Sequence, residues 1–351
     1  MSFTDHNRRP SAVMEGATRS AASVSSAKST ARRTLLATAF ARHVPVRKKD
    51  VVCTEHDGRM MFIQQTQLRE VSNMSVADHF SVVASVYDAL RTTDEAPVRR
   101  IRELLPDRRV IGLDIGCGTG RYSRLLCGVL HPGSVLVASD VSAAMLTELK
   151  ASDDGQEPVL ALRSTAEEVP VRTGSLDLVT AFNSVHHFDL ERFLAVAGRV
   201  LKPNGQLFIY TRTPEQNART IWGRYFPGFA EREQRLHSEA ALREAVRRTP
   251  GLKLVDTQTF RHPRSSTPER LRAQAEGHHY STFSLYPPDE LREAIAIFLG
   301  RLAGPEVTWV DEHLLVIAGR GRRDRRRRSK LAATTAAVPA PAKEPITSSP
   351  G

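Results

Sequence analysis

Between residues 98 and 210 the chain alternates short apolar runs with stretches whose apolar positions recur at helical spacing. The runs predict strands at 110–114, where Val110, Ile111 and Leu113 are closed by Asp114, and then at 134–140, 159–163, 175–182 and 206–210. The amphipathic stretches predict helices at 98–105, 120–129, 142–150 and 190–201, with Thr119 and Ser142 as candidate caps. A turn is expected at 201–205. Upstream, Phe80, Val83, Ala84 and Tyr87 place a helix over 77–91. Downstream, a helix at 239–248 capped by Ser238, an alternating strand at 252–260 and a last strand within 306–318 complete the pattern. Between those two strands lies an insert, 261–302, with its own helix at 289–299. Strands alternating with helices predict an α/β fold on a mostly parallel sheet.

The first run leads into Gly116, Gly118 and Gly120, three glycines spaced two apart. They let the backbone turn sharply and approach a ligand with no side chain between. A glycine-rich strand-to-helix turn is either an ordinary tight turn or a seat for a nucleotide-like ligand. In the dinucleotide fingerprint the third glycine falls one residue later than here, and Asp114 would repel a pyrophosphate. A ligand with cationic groups is favoured beside that carboxylate. Asp140, twenty residues after Gly120 at the end of the second strand, offers two acceptor oxygens for a pair of ribose hydroxyls, or alternatively caps the next helix. Val141 and Met145 are apolar flanks for a base, and Met145 reads equally well as core.

On Asp114 through Gly120 the sequence resembles the class I S-adenosylmethionine-dependent methyltransferases of the small-molecule type. The resemblance spans about 77–319. It implies a Rossmann-like, doubly wound, mostly parallel seven-strand sheet with an α-helical lid or insert, and S-adenosyl-L-methionine as cofactor. Phe80, Ala84, Tyr87 and Asp88 match an opening helix that lids the cofactor in relatives, which makes Tyr87 and Arg91 candidate contacts. Relatives place an Asp before Ala166; here Thr165 stands there, a hydroxyl able to accept one hydrogen bond from the adenine edge. Asn183, His186 and His187 follow the fourth strand, where open α/β sheets hold their ligands. No Asp/Asn-Pro-Pro-aromatic motif and no Pro-Cys pair occurs there, which counts against a base-methylating enzyme. His186 and His187 are the candidate catalytic residues, as proton acceptors for an acceptor hydroxyl; the competing reading is that they line the pocket.

Composition changes this picture mainly at the ends. The chain has 351 residues, 40% apolar, and a formal net charge of +11. Residues 1–50 hold ten Lys/Arg against three acids, and residues 319–330 hold eight against one, so the remainder is near −3. Residues 1–73, rich in Ser, Ala and Arg, are expected to be a disordered basic extension; a transit peptide or a later start at Met60, Met61 or Met74 are the other readings. Residues 320–351 are expected to be a disordered Arg-rich, then Pro/Ala-rich tail. Cys53, Cys117 and Cys127 form neither a metal spacing nor a disulfide framework. His278 and His279 in the insert lack further ligands at metal-site spacing, so no metal is expected. The expected partner is a small-molecule acceptor, with nucleic acid reached only nonspecifically through the basic ends and no membrane span. A cytoplasmic location is expected, or an organellar one if the amino terminus is a transit peptide. The alternatives are a methyltransferase of RNA or ribosomal protein anchored by those ends, and a non-catalytic S-adenosylmethionine-binding protein.

Overall fold

A computed structural model describes residues 51–56, 59–64, 91–151 and 159–321. The strands are β1 (Val51–His56), β2 (Arg59–Gln64), β3 (Ile111–Ile115), β4 (Val135–Asp140), β5 (Leu160–Arg163), β6 (Leu176–Phe182), β7 (Leu201–Thr211), β8 (Leu252–Ser266) and β9 (Val307–Arg320). The helices are α1 (Glu95–Leu104), α2 (Arg121–Val129), α3 (Ala143–Ala151), α4 (Leu190–Val200), α5 (Pro214–Arg219), α6 (Ile221–Tyr225), α7 (Phe229–Arg232), α8 (Glu239–Arg248), α9 (Pro268–Glu276) and α10 (Pro288–Gly300). One sheet takes all strands in the order β1-β2-β5-β4-β3-β6-β7-β9-β8. Pairing is parallel from β2 through β7 and antiparallel at β1–β2, β7–β9 and β9–β8.

Strands β3 to β9 are the expected seven. The β1–β2 hairpin adds two more on the β5 edge, inside the stretch read from composition as disordered. A local signal was present: two β-type runs flank Asp57-Gly58, and His56 pairs with Arg59 across that two-residue connection. The helix expected at 77–91, with Tyr87, lies outside the described residues except for Arg91, which is not helical.

Period-two alternation sends each strand's side chains to two layers. Leu207 and Ile209 join Leu113, Val179 and Val316 in a core closed by Phe193 and Ala197 of α4 and Leu242 and Val246 of α8. Phe208 and Tyr210 point the other way, into a core with Leu136, Leu178 and Ile317, closed by Ile101 of α1 and Leu126 of α2. The turn expected at 201–205 is a break within β7: Leu176 pairs with Leu201 but Leu178 with Gln206, and Asn204 takes φ 66°.

A third core stands apart from the sheet. Trp222, Phe226 and Phe229 from α6, α7 and the turn between them pack on Leu271 of α9, Phe283 and Phe298 of α10. Trp222 stacks on Phe298 at 4.8 Å and meets Phe283 edge-on at 5.1 Å. This cap begins where β7 ends, at a Thr213–Gln216 capping box that starts α5. The insert is shorter than expected, because β8 continues to Ser266 and carries His262 within the sheet. β9 pairs with β7 over 314–319 only, so residues 307–313 pair with β8 alone and the hairpin overhangs the parallel strands.

Candidate functional site

Strand order reverses at β3, whose neighbours are β4 and β6, and the crevice at such a point is where open sheets bind ligands. The glycine turn lies here. Gly116 and Cys117 donate backbone N–H bonds to Ser139 O at 2.8 and 3.0 Å, tying the loop to the end of β4. The three glycines do different things. A Cβ on Gly116 would stand 2.6 Å from Ser184 and 2.8 Å from the Phe188 ring. One on Gly120 would collide with Leu149. Only at Gly118 (φ +56°) would it face open space, with Met145 Sδ at 4.0 Å as nearest neighbour. Gly118 is therefore the cradle, and Gly120 does not line the cavity. Gly120 (φ 82°) is also the helix-cap position in place of Thr119, and no side chain caps α2.

The loop borders a cavity of about 220 Å³ lined by Asp114, Gly116, Gly118, Asp140, Val141, Met145, Thr165, Ala166, Asn183 and Arg91, among others. Asp140 Oδ2 accepts Gly118 N–H at 2.8 Å and Oδ1 accepts Ser142 N–H at 2.9 Å. A carboxylate offers about four acceptor positions, so at least one remains for a hydroxyl. Burial pushes its pKa up, and backbone N–H bonds from Ser142, Gly118 and Val141 oppose that rise. Asp114 accepts Ser123 Oγ–H at 2.6 Å and Thr180 Oγ1–H at 2.8 Å. Burial, offset by these bonds, raises its pKa from 3.8 to about 6. A cation entering the cavity would relieve that penalty, whereas a phosphate would deepen it. Gly118 and Asp114 thus fit a ligand that has cationic groups and no phosphate.

A second cavity, about 140 Å³, lies between the sheet and the cap. Arg91, Thr92, Tyr122, Asn183 and His187 line both cavities; His186 lines only the second. Asn183 holds φ 52°, a conformation Asn tolerates, and its N–H donates to Tyr210 O at 2.7 Å. The rings of His186 and His187 lie 4.1 Å apart in the turn Val185–His187. Burial lowers their pKa values to about 3 and about 2, helped by Arg235 and Arg91 at His186 and by His186 and Arg235 at His187. Both rings are neutral at physiological pH and weakly basic, which makes them poor proton acceptors.

Sequence reasoning missed Tyr122 and the charged wall of the second cavity. Tyr122 stacks on Phe182 at 4.4 Å, and its hydroxyl accepts Asp94 N–H at 3.3 Å. Arg264 on β8 binds Asp94 at 2.5 Å and Asp311 at 3.4 Å, while Trp309 Nε1 donates to Asp311 Oδ1 at 3.0 Å. His262-x-Arg264 and Asp311-x-His313 are polar pairs two apart inside strands, a period-two signal that one wall was polar. Asp94, His262 and His313 bring three metal-type ligand atoms within 4.8 Å of one another. They do not fit a metal ion, because Arg264 already occupies Asp94 and Arg212 holds His313 Nε2 at 3.3 Å.

Residues 113–209 match the family model described as a methyltransferase domain. The chain is 32% identical over 136 residues to malonyl-[acyl-carrier protein] O-methyltransferase of Alcanivorax borkumensis, covering 38% of this chain and 46% of that protein. It is 29% identical over 182 residues to tRNA (carboxymethyluridine(34)-5-O)-methyltransferase ALKBH8 of Mus musculus, covering 50% of this chain and 24% of that one. The chain thus spans about half or less of the length of these relatives. Among solved structures, the YcgJ protein of Bacillus subtilis superposes with a TM-score of 0.49 at 17% identity, over 66% of this chain and 100% of that one. Among the described residues no helix is long and apolar enough to cross a membrane.

Proposed function

We propose that the protein, whose residues 113–209 match a methyltransferase domain, is a class I, S-adenosylmethionine-dependent methyltransferase that methylates a small-molecule acceptor held beneath the cap of α5–α7, α9 and α10. One observation carries the reading: a cavity suited to the cofactor and a second, capped cavity share a wall made by Tyr122, Asn183 and His187. S-adenosylmethionine supplies a methyl group on a sulfonium centre, which an acceptor's lone pair takes as the carbon–sulfur pair returns to sulfur. Asp140 would offer a remaining lone pair to the ribose hydroxyls, and Asp114 would favour the cationic end; Val141, Met145, Thr165 and Ala166, which line the same cavity, would hold the base. Positioning by the shared wall accelerates an in-line displacement. His186 and His187, being neutral and weakly basic, serve this reading as lining groups. An acceptor that arrives ionised needs no base from the protein.

The malonyl-[acyl-carrier protein] methyltransferase relative, whose acceptor is a malonyl group on a carrier protein, supports an acyl-sized acceptor group. A second reading, an RNA acceptor anchored by the basic ends, is favoured by the tRNA-modifying relative and by the eight Lys/Arg of residues 319–330. It requires binding to RNA that weakens steeply with salt.

The test is calorimetric titration of S-adenosylmethionine and S-adenosylhomocysteine into the full chain and into Asp140→Ala. Micromolar-range binding, weakened at least tenfold in the variant, is expected. A folded wild-type protein that binds neither compound overturns the reading.

A further inference from the structure

Arg212 is a buried cation, 7% exposed, in the wall of the capped cavity. Its guanidinium touches Tyr280 OH and His313 Nε2, each at 3.3 Å, and lies 5.3 Å from the Tyr280 ring centre. Its nearest carboxylate, Asp311, is 3.7 Å away, beyond hydrogen-bond reach, and is already held by Arg264 and Trp309. Among the described residues the Arg212 Nε–H has no hydrogen-bond partner. A guanidinium does not shed its proton, so this is a fixed charge in a low-dielectric wall whose ion pair with Asp311 lacks a hydrogen bond.

Its neighbour repeats the pattern. Arg212 only donates, so His313 Nε2 must accept, and the His313 proton sits on Nδ1. Among the described residues that Nδ1 is also buried without a partner. Two donors on residues of one cavity wall are therefore unsatisfied by the described residues, and both want an acceptor. The other described charges do not supply one. Asp94 is bound by Arg264, and Glu233 by Arg235 at 2.5 Å and by Thr282 Oγ1–H at 2.6 Å. Arg91 lies 5.2 Å from the same Tyr280 ring, so two cations converge on one aromatic.

We infer that the acceptor is a small organic anion, a carboxylate, received by Arg212 with His313 beside it. The inference rests on the methyl-transfer reading and narrows its acceptor. Arg212 and His313 line the second cavity only, whereas Tyr122, Asn183 and His187 line both. The anchored end of the acceptor is thus set back from the shared wall at which methyl transfer takes place.

Matched probes test this on the full chain saturated with S-adenosylhomocysteine: benzoate against benzamide, salicylate against salicylamide, malonate against malonamide. Thermal shift and calorimetry are read for each pair. At least one acid is expected to bind tenfold or more tighter than its amide. Arg212→Gln is expected to abolish that preference while S-adenosylhomocysteine affinity stays within twofold, and Arg212→Lys to restore it in part. Acids and amides that behave alike, or an acid preference that survives Arg212→Gln, overturn the inference. Should Arg212→Gln fail to fold, the wild-type acid–amide difference decides alone. Absence of S-adenosylhomocysteine binding to folded wild type would instead sink the methyl-transfer reading.

Discussion

Asp114→Asn separates the ligand role of a residue from its cost to the fold. Asp114 is 1% exposed, and burial raises its pKa from 3.8 to about 6. The folded state therefore holds the proton more tightly than the unfolded chain does. The stability this group contributes is complete below pH 3.8 and is lost as pH rises through about 6. A shift of roughly two units corresponds to about 3 kcal/mol of destabilisation above that range. Asparagine is neutral throughout, and the Ser123 and Thr180 hydroxyls can each rotate to accept from its amide or donate to its oxygen. The variant is expected to match wild type in stability near pH 4 and to exceed it by up to about 3 kcal/mol near pH 8. Its affinity for S-adenosylmethionine is expected to fall at least tenfold, because the counter-charge is gone. Urea unfolding of both proteins at several pH values measures the first effect, since other titrating groups cancel in the difference; calorimetry measures the second. Parallel stability–pH curves, or undiminished cofactor binding, would refute the reasoning.

Four further outcomes follow from the site and its cap. Gly118→Ala and Gly120→Ala should each lose about 1 kcal/mol to their positive φ; Gly118→Ala should in addition weaken S-adenosylhomocysteine binding, because its methyl enters the cradle, whereas Gly120→Ala should lose a further amount of about 1–3 kcal/mol of stability through Leu149, as seen in chemical denaturation. Cofactor affinity of the wild type should weaken as pH drops through about 6, where free Asp114 takes up a proton, and calorimetry in buffers of different ionisation enthalpy should show proton release on binding. The pH–rate profile should carry no histidine step between about pH 6 and 8, since His186 and His187 titrate at about 3 and about 2; a rate following an imidazole there would restore them as bases. Trp222→Ala should cost about 3–5 kcal/mol in thermal unfolding and loosen the cap while leaving the glycine loop's contacts unchanged.

Much of the cavity proposed for the cofactor was legible because its signals are local. A run closed by Asp114, a glycine turn and an acid at the end of the next strand lie within thirty-one residues, 110–140, and backbone geometry demands those residue types in place. Ser238 as the cap of α8 was read the same way, and its Oγ accepts Ala241 N–H at 3.1 Å. The acceptor half was not legible, since its wall is assembled from distant segments. Asp94 meets Arg264 across 170 residues, and Arg212 meets His313 across 101. The pairing of β7 with β9 sets Arg212 near His313, that of β8 with β9 sets Arg264 near Asp311, and Asp94 comes from the segment before α1; a single strand's pattern does not state its partner's register. The division of labour among the glycines was hidden for a related reason, because Ser184, Phe188 and Leu149, which decide it, lie elsewhere in the chain.

The overhang of the β8–β9 hairpin separates what the molecule can change from what it must keep. Residues 307–313 and their partners 260–266 touch no parallel strand through the sheet's ladder, yet they carry Arg264, Asp311 and His313. Substitutions there leave the β3–β4–β6 crevice and its glycine turn in place. If the proposed division into donor and acceptor cavities holds, a library confined to those fourteen positions should change what the protein accepts and leave cofactor binding unchanged.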